Sequence, residues 1–93
     1  MGVNFEIEYH ELVKKEDIPK LSSSTRERIK QAIEEKLMTR PEVFGKPLRR
    51  SIEGYRKLRV GDYRVIFRIK GRKIKIILIE HRSVVYKLIH KRL

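Results

Sequence analysis

Residues 54 to 82 read GYRKLRVGDYRVIFRIKGRKIKIILIEHR, a run of alternating apolar and cationic side chains broken at Gly61-Asp62 and again around Gly71. A period of two is the pattern of a half-buried strand, because successive side chains leave a strand on opposite faces. Gly-Asp between two such runs suits a two-residue hairpin loop. That loop sets Val60 opposite Tyr63, Arg59 opposite Arg64, Leu58 opposite Val65 and Lys57 opposite Ile66. The second loop, Lys70-Gly71 or Gly71-Arg72, preserves side-chain parity in either form.

The meander therefore sorts into two faces. Leu58, Val60, Tyr63, Val65, Phe67, Ile69, Ile74, Ile76 and Leu78 share the face expected to pack on helices. The other carries Tyr55, Lys57, Arg59, Arg64, Arg68, Lys70, Lys73 and Lys75, with Ile66, Ile77 and Ile79 among them. Like charges directly opposite each other, such as Arg59 and Arg64, cost stability in a sheet. A purely solvated face would alternate the signs, so this pair points to a phosphate site.

Upstream, Val3, Phe5, Ile7 and Tyr9 alternate with polar residues and predict a first strand. A short helical stretch over His10 to Lys15 precedes Pro19. Ser24-Thr25-Arg26-Glu27 has capping-box spacing, and Ile29, Ala32, Ile33 and Leu37 then form one helical stripe. Proline disfavours a helical residue before it, which ends that helix near Thr39-Arg40-Pro41. Residues 42 to 54, with Gly45, Pro47 and Gly54, read as a loop bearing Lys46, Arg49 and Arg50. Val84, Val85, Leu88 and Ile89 form a short terminal stripe, with Lys91 and Arg92 suited to a helix C-terminus. The expected fold is α+β: an N-terminal strand plus a three-stranded antiparallel meander, two N-terminal helices on one face, and a short C-terminal helix or tail.

Ninety-three residues suit one small domain, 1–93, near the lower limit for burying a self-sufficient core. There is no cysteine, no apolar run of membrane-spanning length and no basic-then-apolar leader, so the chain reads as complete and cytoplasmic. Twenty-four basic against twelve acidic side chains give a net charge of +12, which predicts a polyanionic partner. The histidines His10, His81 and His90 are scattered, and the glycines fall as isolated turn residues, so neither a metal site nor a phosphate loop is expected. No cofactor is expected.

Chemistry on such a chain must run on Arg, Lys, Tyr and His. One reaction class suits that set. Cleavage of RNA by its own 2′-hydroxyl needs in-line geometry, cations for the phosphorane, a proton acceptor and a proton donor. Arginine supplies the bidentate phosphate clamp. Tyr63 has core-face parity and reads as packing, whereas Tyr86 either anchors the terminal segment or serves substrate. His81 either caps the sheet edge or transfers a proton. Lys46, Arg49 and Arg50 read as a basic loop that touches ribosomal RNA phosphates, adding affinity without reading sequence.

GKPLRR (45 to 50), GYRKLRVGDYRVIFRI (54 to 69) and HRSVVY (81 to 86) resemble the RelE/ParE superfamily of toxins from type II toxin–antitoxin pairs, over about the last half of the chain. The resemblance implies a RelE-like fold and a ribosome-dependent mRNA endonuclease that cuts the A-site codon and is neutralised by a cognate acidic antitoxin. It implies catalytic roles for Lys57, Arg64, Arg82 and Tyr86, with Arg59, His81 and Tyr55 as auxiliaries and Arg68 beside Lys46, Arg49 and Arg50 as an RNA contact. Tyr55 stands where the family's first paired strand lysine is expected, and Glu80 where a C-terminal arginine is expected. Lys46 stands where one branch keeps a glutamate. The alternatives are a ParE-type inhibitor of DNA gyrase on the same fold and a non-catalytic basic RNA-binding module.

Overall fold

A computed structural model of the chain describes residues 4–48 and 54–93. A five-stranded sheet runs in the order β1-β5-β4-β3-β2. Its strands are β1 (Glu6–Tyr9), β2 (Lys46–Pro47), β3 (Arg56–Val60), β4 (Tyr63–Lys70) and β5 (Lys73–His81). The helices are α1 (Ser23–Ala32), α2 (Pro41–Phe44) and α3 (Val85–Arg92). Helical turns Val13–Asp17 and Ile18–Lys20 precede α1, and a wider turn, Ile33–Leu37, prolongs it.

The β3–β4 hairpin has the expected register, Val60 to Tyr63 through Lys57 to Ile66. The second loop is Gly71-Arg72, since Lys70 pairs with Lys73. Each loop puts its glycine first, at φ 59° for Gly61 and 61° for Gly71, a backbone conformation that only glycine adopts without strain. The first strand forms over Glu6–Tyr9, with Val3 outside the described residues, and β1 runs parallel to β5, with Ile7 beside Ile74 and Tyr9 beside Ile76.

One expectation on β5 is overturned. The register slips between Ile66 and Phe67, so Ile66 faces Leu78 while Phe67 faces Ile76, and Ile77 is an extra residue. A bulge of one residue exchanges the faces of everything beyond it. Leu78 therefore lies with Ile66, and Ile79 joins Val65 and Leu58 in the core under α1.

That exchange builds two cores. On one face Ile29, Ile33 and Leu37 meet Val13, Leu21, Leu58, Val65, Phe67, Ile74, Ile76 and Ile79. On the opposite face Val85 and Ile89 of α3 cover Ile66, Ile77 and Leu78. The α3 stripe is as expected, and α3 packs on the sheet face opposite α1. Each of these buried side chains contributes about 1.5–3 kcal/mol relative to exposure.

Two further local readings change. The helix starts two residues early: Ser22 Oγ, not Ser24, accepts from the Thr25 amide at 3.2 Å. The segment read as a loop contains α2, opened by Pro41, and the edge strand β2, which adds a fifth strand beside β3. Gly45, between them, is buried against the Phe67 ring, and a Cβ there would run into it.

Candidate functional site

The sheet face that α3 only partly covers holds the cations. Cross-strand pairing sets Lys46, Lys57, Ile66 and Leu78 in one row and Arg59, Arg64 and Glu80 in the next. Because directly opposed residues share a face, Lys46, Lys57, Arg59 and Arg64 project from one side of the sheet. The alternation of cationic and apolar residues along β3 and β4 creates this cluster, and the bulge hands Leu78 to α3 as its platform.

Lys57 and Tyr86 meet where α3 begins. The ammonium donates to the phenol oxygen at 2.9 Å. Its nitrogen is 5.6 Å from the ring centre, which nearly equals the hydrogen bond plus the ring-centre-to-oxygen distance. The ammonium thus lies beyond the hydroxyl near the ring plane, and the contact is a hydrogen bond more than a cation–π pair. Tyr86 is exposed, and its hydroxyl still carries a proton of its own to donate.

Arg64 folds back onto the β3–β4 loop, where Nη1 donates to the carbonyls of Gly61 at 3.0 Å and Tyr63 at 2.9 Å. Among the described residues Nε and Nη2 have no acceptor. Glu80 faces Arg64 across the ladder, yet its carboxylate accepts from the His81 amide at 3.0 Å. Among the described residues no carboxylate lies within ion-pair distance of Arg64, Arg59 or Lys57. At the far end of the same face Glu6 and Glu8 of β1 stand beside Lys73 and Lys75, with Glu8 and Lys73 at 3.8 Å.

Arg82 sits in the turn between β5 and α3. Its amide donates to the Asp62 carbonyl at 2.8 Å and its Nε is 3.7 Å from the Asp62 carboxylate, both side chains well exposed. That ties the β3–β4 loop to the end of β5. His81 goes elsewhere: it pairs with Tyr63, and its ring stands edge-on to that ring at 5.5 Å. Beyond the bulge this is the α1 face, so the structure separates His81 from Lys57. Its Nδ1 accepts from the Ser83 amide at 3.1 Å and meets Ser83 Oγ at 2.8 Å, which puts the proton of the neutral ring on Nε2.

Arg68 carries its guanidinium over the Tyr55 ring, 5.7 Å from its centre, one row beyond Lys57. Lys46 is exposed beside Lys57, while Arg49 and Arg50 lie outside the described residues. Sequence reasoning missed the pairing of Tyr55 with Arg68, although their cross-strand positions follow from the hairpin register. It also missed Asp17, a buried carboxylate that receives Arg92 from α3. No periodic pattern marks that residue. Among the described residues no cluster of three or more His, Asp or Glu side chains could hold a metal ion, and no helix is long and apolar enough to cross a membrane.

The family described as "ParE toxin of type II toxin-antitoxin system, parDE" matches residues 7–86. A curated relative, Toxin RelE of Mycobacterium tuberculosis, is 41% identical over 54 residues, a match that spans only 56% of each protein. Among solved structures, the toxin–antitoxin complex RelBE2 of M. tuberculosis superposes with a TM-score of 0.79 at 26% identity, covering 87% of this chain and 94% of that one. The RelB–RelE complex of Methanococcus jannaschii gives 0.67 at 24% identity, with 85% and 94% covered, and so bears on the fold alone.

Proposed function

From the premise that this chain belongs to the ParE family of type II toxin–antitoxin toxins, we propose that it is a metal-independent endoribonuclease that cuts mRNA in the ribosomal A site. The observation that carries this reading is that Lys46, Lys57, Arg59 and Arg64, without an ion-pair partner among the described residues, share the sheet face that bears the Lys57–Tyr86 hydrogen bond. Such a concentration of one sign of charge suits the phosphates of a nucleic acid.

In this reading the 2′-oxygen attacks the adjacent phosphorus, the 2′-O–P bond forms and the P–O5′ bond breaks. Lys57 and the free donors of Arg64 stabilise the charge on the phosphorane, with Arg59 and Arg82 as further cations. The 2′-proton leaves to a nearby acceptor, and Tyr86 orients the substrate with a hydroxyl that can give a proton to the 5′-oxygen. His81, which faces α1, fixes the turn into α3. Lys46, Arg49, Arg50 and Arg68 contact RNA phosphates. The partners are the ribosome, its mRNA and a cognate acidic antitoxin that covers the basic face. Residues 1–93 act as one domain, in the cytoplasm where ribosomes are.

The test is translation in a cell-free extract with purified protein, followed by primer extension on the message. Cuts inside codons, on translated message only, support the reading. Arg64→Ala and Tyr86→Phe are expected to relieve growth arrest while antitoxin binding stays nearly intact, and full toxicity of Arg64→Ala would remove Arg64 from the site.

A second reading has its own support, because the matching family is described by its ParE members. A gyrase inhibitor would leave message intact and abolish DNA supercoiling in a purified gyrase assay. Intact message with unaffected gyrase would leave a basic RNA-binding module.

A further inference from the structure

Cleavage by the 2′-hydroxyl needs an acceptor for its proton, and the side chains gathered around Lys57 are mostly donors. Charged lysine and arginine carry no acceptor at all. The Tyr86 oxygen already accepts from Lys57, and His81 lies on the α1 side of the sheet. Among the described residues one carboxylate stands in the two rows that hold Lys57 and Arg64, and it is Glu80.

Glu80 is there because of the bulge. Counted straight along β5 from Ile76, its side chain would face α1. The extra residue Ile77 turns it to the opposite side, across from Arg64. Bulges recur beside active sites, where they re-aim a side chain. Arg59 and Arg64 keep that row cationic, so Glu80 adds an acceptor without emptying the site of positive charge.

Arg64 and Glu80 carry opposite charges at directly opposed positions, yet they form no ion pair. Opposite charges so placed stabilise a sheet when they meet. Backbone groups hold these two apart. Arg64 gives Nη1 to the carbonyls of Gly61 and Tyr63, and Glu80 turns Oε2 to the His81 amide at 3.0 Å. Among the described residues, Nε and Nη2 of Arg64 and Oε1 of Glu80 have no partner. Both side chains are half-buried, which limits how far either can swing.

The substrate asks for a cation and an acceptor side by side. In-line attack brings the 2′-oxygen within about 3–3.5 Å of the phosphorus. The group that grips the phosphate and the group that takes the 2′-proton must therefore be close neighbours. Directly opposed residues have Cβ atoms about 4.5–5.5 Å apart. Nε and Nη2 of an arginine point two parallel N–H groups at phosphate oxygens, and a carboxylate oxygen accepts a proton.

We infer that Glu80 is the general base of the cleavage, with Arg64 holding the phosphate next to the hydroxyl it deprotonates. The inference rests on the RNA-cleaving reading. Oε1 of Glu80 takes the 2′-proton, and the electron pair left on the 2′-oxygen forms the 2′-O–P bond. The P–O5′ bond breaks with its pair on the 5′-oxygen, which takes a proton from Tyr86. The products are a 2′,3′-cyclic phosphate and a 5′-hydroxyl. Glu80 then loses its proton to water and Tyr86 regains one, which restores the site.

The experiment is single-turnover cleavage of message on programmed ribosomes, with the full chain in excess and primer extension as the readout. Glu80→Gln keeps the shape and an oxygen for the His81 amide. It is expected to cut about a hundred-fold to ten-thousand-fold more slowly, with the half-saturating protein concentration and the melting temperature unchanged. Glu80→Ala opens a space where the carboxylate stood. Added formate is expected to raise its rate in proportion to concentration, while sodium chloride at equal ionic strength does not. A message with sulfur in place of the 5′-oxygen at the cut needs no proton on its leaving group. It is expected to restore Tyr86→Phe and to leave Glu80→Gln slow.

Wild-type speed in Glu80→Gln overturns the assignment. So does a loss confined to the half-saturating concentration, or a slow Glu80→Ala that formate does not revive. In each of these cases the wild type still cuts, and the nuclease stands without this base. Message left whole by the wild type removes the nuclease and its base together.

Discussion

The guanidinium of Arg92, in the last turn of α3, closes on the carboxylate of Asp17 through two hydrogen bonds, Nη1 to Oδ2 at 2.9 Å and Nη2 to Oδ1 at 3.1 Å. The Asp17 side chain is 1% exposed and that of Arg92 9%. The same two groups reach the backbone of β5: Asp17 accepts from the Ile79 amide, and Arg92 donates to the Ile77 carbonyl, each at 2.9 Å. The pair thus knots three elements at the bulge, namely the turn Val13–Asp17, β5 and α3. Among the described residues every buried side-chain polar atom has a partner.

Loss of Arg92 leaves the Asp17 charge buried and unpaired, which costs about 3–5 kcal/mol. Arg92→Ala is expected to lower the urea midpoint by that free energy, with α3 as the first element to lose hydrogen-exchange protection. A change below about 1 kcal/mol, the size of an exposed pair, would show that water reaches Asp17. Since α3 carries Tyr86, the variant is also expected to cut more slowly than its residual folded fraction accounts for.

Lys57 and Tyr86 lie on the surface, so their hydrogen bond contributes little to folding and much to any chemistry at the site. Tyr86→Phe removes one oxygen and keeps the ring. It is expected to leave the melting temperature within about a degree or two, because exposed substitutions shift stability by about 0.5 kcal/mol or less. Cleavage on the ribosome is expected to fall about a hundred-fold or more, the scale of one proton-transfer group. Equal losses for Lys57→Ala, Tyr86→Phe and the double variant would show that the two act as one unit.

Gly45 is held by space and not by backbone angle. Its φ is −93°, open to any residue, but the Phe67 ring and the Pro41 carbonyl occupy the place of a side chain. Overpacking of a core costs about 1–3 kcal/mol. Gly45→Ala is expected to destabilise the fold by that amount in chemical denaturation, and Gly45→Ala with Phe67→Leu is expected to recover part of it. No recovery would locate the clash at the Pro41 carbonyl.

The hairpin register and the helical stripe of Ile29, Ile33 and Leu37 were legible because each follows from a local period. The bulge at Ile77 was not. Ile and Leu fill β5 from Ile76 to Ile79 without a polar residue, so alternation gives no sign of which side chain faces which core. The position of α3 inherits that ambiguity, since it needs Leu78 on the side opposite Val65. The same bulge decides the site. It leaves Glu80 in the row of Arg64 and sends His81 to Tyr63, a division that parity counted straight along β5 reverses. Asp17 was illegible for another reason: its partner is far along the chain and arrives only when α3 docks.

Tyr9 offers a test of the α1 side of the sheet. Burial, with the Glu34 carboxylate as a smaller contribution, raises its phenol above the ordinary value of 10.0. Tyr9 and Glu34 line one groove with Ile18, Leu21 and Ile33, which accounts for both causes. In the unfolded chain the phenol loses its proton at its ordinary value, and in the folded chain only at a higher pH. Stability from the neutral phenol is therefore intact below pH 10.0 and is lost as pH rises from there through the folded value. Tyr9→Phe has no proton to lose. The difference in unfolding free energy between wild type and Tyr9→Phe is expected to be constant from about pH 7 to pH 9 and to shift toward the phenylalanine variant above it. Comparing the two proteins cancels the lysines that titrate in the same range. A difference that stays constant to about pH 11 would mean that Tyr9 is as hydrated in the folded protein as in the unfolded one, and that the groove beside α1 is open to water.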